Sequence, residues 1–490
     1  MFQKNTRIRL QAFLILGSFL CLAFFSVLQA KVTPNPYSSI EIEQSLKKLS
    51  VLGSVLYLAA HPDDENTALL AWLAKDKMLN TAYLSLTRGG GGQNLIGSEK
   101  GAILSAIRSS ELYAARSIDG GKQYFTRAVD FGYSKTATET LKIWDRESVL
   151  SDIVLIIRKL KPDLIITRFS PDRGGHGHHS ASAQLAIDAA MAAADPTRYP
   201  DQLKELSIWT TKRVLWNSWL PYIKGTDASL IDQHLAVDLG KYNPLLGLSY
   251  MEIAARSRTM HKSQGFGMIA RRGQRKDYFL HLSGSIAKED IFEGIDLSWD
   301  RLDASPNEIE GIRTLALDIY KHFSRIHPHR SIPQLVQLHA QLEKQPKGYW
   351  IRQKQAEVKR LIRLCAGLWI EALSPKGDVF SGEQIRISVE LLNRSPQPVL
   401  FKTVDLQMGN RRIAVDKELK ENVPEKIELS YRIGNGYLHP HWLVKRKRGG
   451  LYDHDSRNLI SAMNPYPYRV QVQLLIAGHL FDFDTPIITK

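Results

Sequence analysis

The chain has 490 residues, 43% of them hydrophobic and 23% charged, and carries a formal net charge of +15. That length accommodates two or three domains with separate cores, and the composition excludes a collagen-like, low-complexity or intrinsically disordered chain. The positive charge favours anionic partners such as a membrane surface or acidic glycan. No nucleic-acid-binding motif occurs, so nucleic acid is not expected, and a solvated basic surface is the plainer account of the charge.

Residues 1–30 have the order of a targeting segment. Lys4, Arg7 and Arg9 precede the nearly apolar run from Gln11 to Leu28, and Ala30 offers a small residue for cleavage, as in a secretory signal peptide. The run is close to the ~18 residues of a spanning helix, and Leu28 is large for a cleavage site, so an uncleaved N-terminal anchor is the alternative. Leu20 before Cys21 argues against a lipid-attached cysteine. A periplasmic or secreted location is expected. Once the segment is removed, Cys365 is the one cysteine left, which excludes an internal disulfide. Its setting among Leu361, Ile362, Leu364 and Leu368 predicts a buried, inert thiol.

From Val51 the pattern alternates strand and helix. Ser54–Ala59 reads as a buried strand, Glu65–Leu79 as a helix and Thr81–Thr87 as a second strand, followed by Arg88 and the four glycines Gly89 to Gly92. Gly101–Ser117 and Arg146–Leu160 read as helices, Asp163–Phe169 as a third buried strand and Ser180–Ala193 as an alanine-rich helix. Further strands are expected at Lys212–Trp216 and Tyr278–Leu282. This alternation predicts a doubly wound, Rossmann-like parallel sheet over residues 31–295. Residues 296–372 read as a helical linker region, with 3.6-residue periodicity in Ile309–Phe323, Ile332–Leu342 and Ile351–Leu368. Residues 373–490 carry short alternating strands, Gln384–Leu391, Val399–Leu406, Ile427–Ile433 and Tyr468–Ile476, which predict a small β-sandwich.

Two loops carry the chemistry. Ala60-His61-Pro62-Asp63-Asp64-Glu65 follows the first strand, and Gly175-His176-Gly177-His178-His179 follows the third. Right-handed crossovers bring the C-terminal ends of those strands to one sheet edge, where open α/β folds hold their ligands. Each half alone has a bland account, a capped polar turn or a solvated histidine loop. Together they supply two His and one carboxylate (His61, Asp64 and His179), a set that leaves a zinc ion one open position for water; Fe(II) also suits these ligands. Asp63, beside Asp64 but free of the ion, is placed to be a general base. His176 is placed to stabilise an oxyanion or deliver a proton.

These motifs resemble those of the PIG-L/LmbE-like zinc-dependent N-deacetylases over roughly residues 52–290. The resemblance implies His61, Asp64 and His179 as zinc ligands, Asp63 as base and His176 as the group that stabilises the oxyanion or assists amine departure. Arg108 and Glu111 resemble the family's helical Arg-x-x-Glu, and His261-Lys262-Ser263-Gln264 its late His-x-Ser-Gln. Arg108 and His261 are thereby expected at the substrate, with Arg88 as a further candidate beside the glycines. The implied activity is removal of an N-acetyl group from an amino-sugar conjugate. Two departures stand out. The second motif usually reads His-x-Asp-His, and here His178 replaces the Asp. Where the family often has an acid after the second strand, Arg88 runs directly into glycines. The alternatives are a catalytically silent metal- or glycan-binding protein and a zinc amidase acting on a non-sugar amide. In the last domain Trp442 and the run Lys445-Arg446-Lys447-Arg448 form either a solvated basic loop or a contact for an anionic envelope surface. His439, His441, His454 and Asp455 match no trusted ligand spacing.

Overall fold

The computed structural model describes residues 37–489 apart from 174, 224–226, 266, 268, 407–410, 435–438, 454–463 and 465–467. The expected targeting segment, residues 1–30, lies outside the described residues, as do His454 and Asp455. Among the described residues, no helix is long and apolar enough to cross a membrane.

The first sheet is built from β1 (Ser54–Ala59), β2 (Asn80–Thr87), β3 (Lys122–Ala128), β4 (Leu164–Thr167), β5 (Arg213–Ser218), β6 (Leu235–Asp238) and β9 (Lys276–Gly284); β7 (Tyr242–Asn243) and β8 (Leu248–Ser249) pair separately. Its order is β3-β2-β1-β4-β5-β9-β6. The five strands from β3 to β5 run parallel, and β9 is antiparallel to both β5 and β6. Every residue of β1 is buried, the pattern of a parallel strand covered on both faces. Val55, Tyr57 and Ala59 join one core with the helices Thr67–Lys75 and Tyr250–Arg258. Leu56 and Leu58 face the other way, into a core with the helices Arg146–Leu160 and Gly177–Ala194. The chain runs outward from β1 to β3, then returns to lay β4 on the opposite side of β1. Strand order therefore reverses between β1 and β4, and the two histidine loops leave the sheet at that point.

Local sequence explains the details that position the site. Asn66 caps the helix Thr67–Lys75 by accepting from the Leu69 N–H, so the helix starts two residues later than expected and Glu65 stays in the loop. Gly120, at φ 88°, ends the helix Gly101–Asp119 in the left-handed region.

The second sheet contains β10 (Trp369–Ser374), β11 (Gln384–Leu392), β12 (Val399–Leu406), β13 (Arg411–Glu418), β14 (Glu425–Arg432), β15 (Arg469–Ile476) and β16 (His479–Thr489). Its order is β13-β12-β15-β16-β10-β11-β14, antiparallel except at β10–β16. The described strands thus form one continuous hydrogen-bonded sheet rather than two separate layers. Residues from both ends of it, such as Leu429 and Val404, share one core, so the sheet curls. The helices Ser39–Lys48, Pro306–Lys321, Ile332–Glu343 and Tyr349–Cys365 pack into that same core. The segment expected as a linker, and the lead-in helix before β1, are therefore layers of the C-terminal unit. Cys365 is a buried free thiol, pushed by burial up to about 12.

One excursion joins the two units. Residues 439–453 lie against the first sheet: the Val129 N–H donates to the Gly450 carbonyl at 2.8 Å, and the Tyr452 N–H to the Arg127 carbonyl at 2.8 Å. Trp442 and Tyr452 form a small core with Val129.

Candidate metal centre

His61 stands two residues beyond β1, held by the Tyr83 hydroxyl, which donates to its carbonyl at 2.5 Å. The His61 N–H donates to Asp64 Oδ2 at 2.7 Å, and His61 Nδ1 lies 3.2 Å from the same oxygen. From the other loop His176 caps the helix Gly177–Ala194, which puts His178 and His179 in its first turn. His179 Nε2 lies 3.7 Å from Asp64 Oδ1. Its ring stacks on Phe169, just past β4, with centroids 3.6 Å apart and planes at 3°. The donor atoms of His61, Asp64 and His179 all lie within 4.8 Å of one another. Two imidazoles and one carboxylate so gathered fit a divalent metal such as zinc or Fe(II).

Electrostatics follow from packing acids and imidazoles together below the surface. Burial would lower the His61 pKa, but Asp64 beside it outweighs burial and pushes it up to about 9. Asp64 is held below the usual carboxylate range despite burial, because His61 and His179 face it. Asp63 is pushed up to about 7, by burial and then by the charge of Asp64. His176 is lowered by burial and by His61. His178 is pushed down to about 2 by burial and the neighbouring histidines. A cation at the site would take the place of the proton that His61 holds here.

A buried network supports the first loop. Glu65 accepts from His261 Nε2 at 2.7 Å and from Arg116 Nη2 at 3.2 Å; burial would raise its pKa, but these partners hold it at about 2. Glu111 accepts from both the N–H and the hydroxyl of Ser263, at 2.6 and 2.7 Å. The helical Arg-x-x-Glu element thus holds the His261–Gln264 turn by its glutamate. Arg258 donates to the Asp63 carbonyl at 3.1 Å.

The residues expected at the substrate fall in different places. Arg108 packs against Gly89 and Gly92 and donates from Nη2 to the Gln93 carbonyl at 2.7 Å, beside the glycine loop. His261 is fully buried and spends Nε2 on Glu65. Arg88 is 1% exposed; it lies between the rings of Phe125 and Trp442 and donates to Ser109 Oγ at 3.1 Å. The sequence reading missed Phe169, whose stack orients His179, and Phe131 and Trp144, which enclose His178. It also missed Tyr133, which is exposed and stacks on His176 at 4.9 Å. An aromatic placed directly after a strand that ends at a histidine loop was the available signal for Phe169.

The fold and the site define an α/β protein with three candidate metal ligands gathered at the switch point of a largely parallel sheet. Residues 56–190 match the family model PIG-L: GlcNAc-PI de-N-acetylase. The 1D-myo-inositol 2-acetamido-2-deoxy-alpha-D-glucopyranoside deacetylase of Rhodococcus jostii is 29% identical over 181 residues, covering 33% of this chain and 60% of the relative. The protein of the same name from Rhodococcus opacus is 31% identical over 166 residues, covering 30% and 56%. The chain thus spans about 60% of the length of the curated relatives it matches. Among solved structures, an N,N'-diacetylchitobiose deacetylase from Pyrococcus horikoshii aligns at 21% identity with a TM-score of 0.32, over 43% of this chain and 70% of that one.

Proposed function

We propose that the chain is an exported, metal-dependent hydrolase that removes an N-acetyl or related N-acyl group from an amino-sugar-containing substrate. The observation that carries this reading is the convergence of His61, Asp64 and His179 from two loops, with the unligated Asp63 beside them. His61, Asp64 and His179 would hold the ion, zinc or Fe(II). When bound, it supplies Lewis acidity that acidifies water and polarises an amide carbonyl. Asp63 takes the proton of the attacking water on its carboxylate. Water oxygen adds to the acyl carbon, the C–N bond breaks, and the amine leaves with the proton. His176, at the rim against Tyr133, supports the oxyanion or the departing amine. Arg108 and the glycine loop shape the pocket beside Asp63.

The relatives' printed names support the amino-sugar class. The N-terminal charge and apolar pattern supports export to the periplasm or beyond, with or without a retained anchor. The exposed run from Lys445 to Arg448 would then face anionic envelope material. We take the first unit as Rossmann-like, on the strand order about β1 and β4, and the curled C-terminal sheet as sandwich-like. The test is a panel of N-acetylated amino sugars, their inositol and oligosaccharide conjugates, and N-acetylated peptides, assayed for free amine with metal-loaded protein. Amine release confined to the sugars supports the proposal. Release from peptides alone turns the reading to a non-sugar amidase, and none from any, with metal bound, to a silent binding protein.

A further inference from the structure

His61 faces two ligand sets rather than one. Its Nδ1 is turned to Asp64 at 3.2 Å, while its Nε2 lies 2.9 Å from His178 Nδ1. The donor atoms of His61, His176 and His178 gather within 4.8 Å of one another, as closely as those of His61, Asp64 and His179. His178 is fully buried between Phe131 and Trp144. Its Nε2 is enclosed with no hydrogen-bond partner, which leaves Nδ1 as the nitrogen it can offer. The two aromatic rings fix the imidazole so that its one polar outlet, Nδ1, points at His61. His176 is oriented too: its Nδ1 lies 3.0 Å from the Ser134 carbonyl, which can only accept. Nδ1 also lies 3.4 Å from the His178 and Ser134 N–H groups, so the backbone engages Nδ1 and Nε2 is the nitrogen left for a ligand.

We infer that His61, His176 and His178 form a second divalent-metal site, adjoining the first through His61, which would release both ring protons to solvent and offer Nδ1 to one ion and Nε2 to the other. The inference rests on reading His61, Asp64 and His179 as the first site and adds to it. Three imidazoles suit Zn²⁺, Ni²⁺ or Cu²⁺ better than harder ions. The aspartate usual at position 178 in the resembling family would not supply this third imidazole, so the site is a property of this chain. Occupancy takes the Nε2 of His176 away from the substrate, so the second ion inhibits. Excess zinc then acts as a brake on the activity that the first zinc supports.

The test is zinc titration of chelator-stripped protein, read as bound zinc per chain after dialysis. The wild type is expected to hold about two equivalents and His178→Ala about one. Asp64→Ala should lose the equivalent that His178→Ala keeps. His178→Gln, which keeps the side chain's volume, repeats the measurement should the alanine variant fold poorly. Added zinc should inhibit the wild type and leave His178→Gln uninhibited. About one equivalent in the wild type, or two retained in both position-178 variants, overturns the second site. Failure of the first site appears differently, as wild-type zinc content in Asp64→Ala.

Discussion

The two sheets solve different problems with the same strand material. In the first, β1 is buried along its whole length, its side chains alternate between two helix-covered cores, and polarity is expelled to the edge where the parallel strands end. In the second, β11 and β15 bury alternate residues, and the other positions stay part-exposed along the whole strand. A sheet covered on both faces can place a charged cluster only at its ends, and there His61, Asp64 and His179 meet. A sheet covered on one face spreads its polar residues, and its described strands gather no comparable ligand cluster. The candidate site lies at the edge of one sheet, and the other unit packs against that sheet through residues 439–453.

That contrast can be broken in several ways, the largest first. Asp64→Ala should strip the first metal and abolish amine release while leaving the melting of the C-terminal sheet in place, as metal analysis and circular dichroism would report. Leu474→Ala, in the core of β15, should lower stability by about 3 kcal/mol with metal content unchanged, measured by denaturant unfolding beside elemental analysis. A loss of metal in that variant would mean that the two regions are not separable.

Trp442→Leu tests the bridge between them. It removes the ring over Arg88 and should lower stability by about 1–2 kcal/mol. Because Arg88 precedes the glycine loop, KM should rise more than kcat falls. A pure stability loss with KM untouched would make the arm a structural clasp only.

The smallest effect concerns pH, and it belongs to the second region. His339 lies buried against Phe481, and burial, with Lys359 and His479 nearby, holds its pKa below the usual value in spite of Glu343. The folded state therefore binds its proton less readily than the unfolded chain. His339 adds no pH dependence above the unfolded value of ~6.5, and stability falls as pH drops below it. His339→Gln should flatten that part of the stability–pH curve, followed by thermal melts between neutral and mildly acidic pH.

Much of the site was legible because its signals are local. Apolar runs mark β1 and β4, and the histidine and aspartate clusters follow each directly. β3, KQYFTRA, escaped notice because an edge strand interleaves Lys, Gln and Arg with its apolar residues. The burial of Arg88 was illegible because Arg followed by glycines reads as a surface turn, and its partner Trp442 comes from the far end of the chain. The helix Ser39–Lys48 precedes β1 yet packs with the helix Tyr349–Cys365 in the C-terminal core, a pairing no local pattern encodes. The environment of His178 was equally hidden, since Phe131 and Trp144 arrive from the segment after β3.

The central claim is that Asp63 does chemistry beside a metal it does not hold. Asp63→Asn keeps the side chain's shape and removes the base, so zinc content and amine release measured on the same preparation test the claim most directly. The expected result is wild-type zinc content with turnover reduced roughly 10²–10⁴-fold. Wild-type turnover in that variant, or loss of its zinc, would contradict the account.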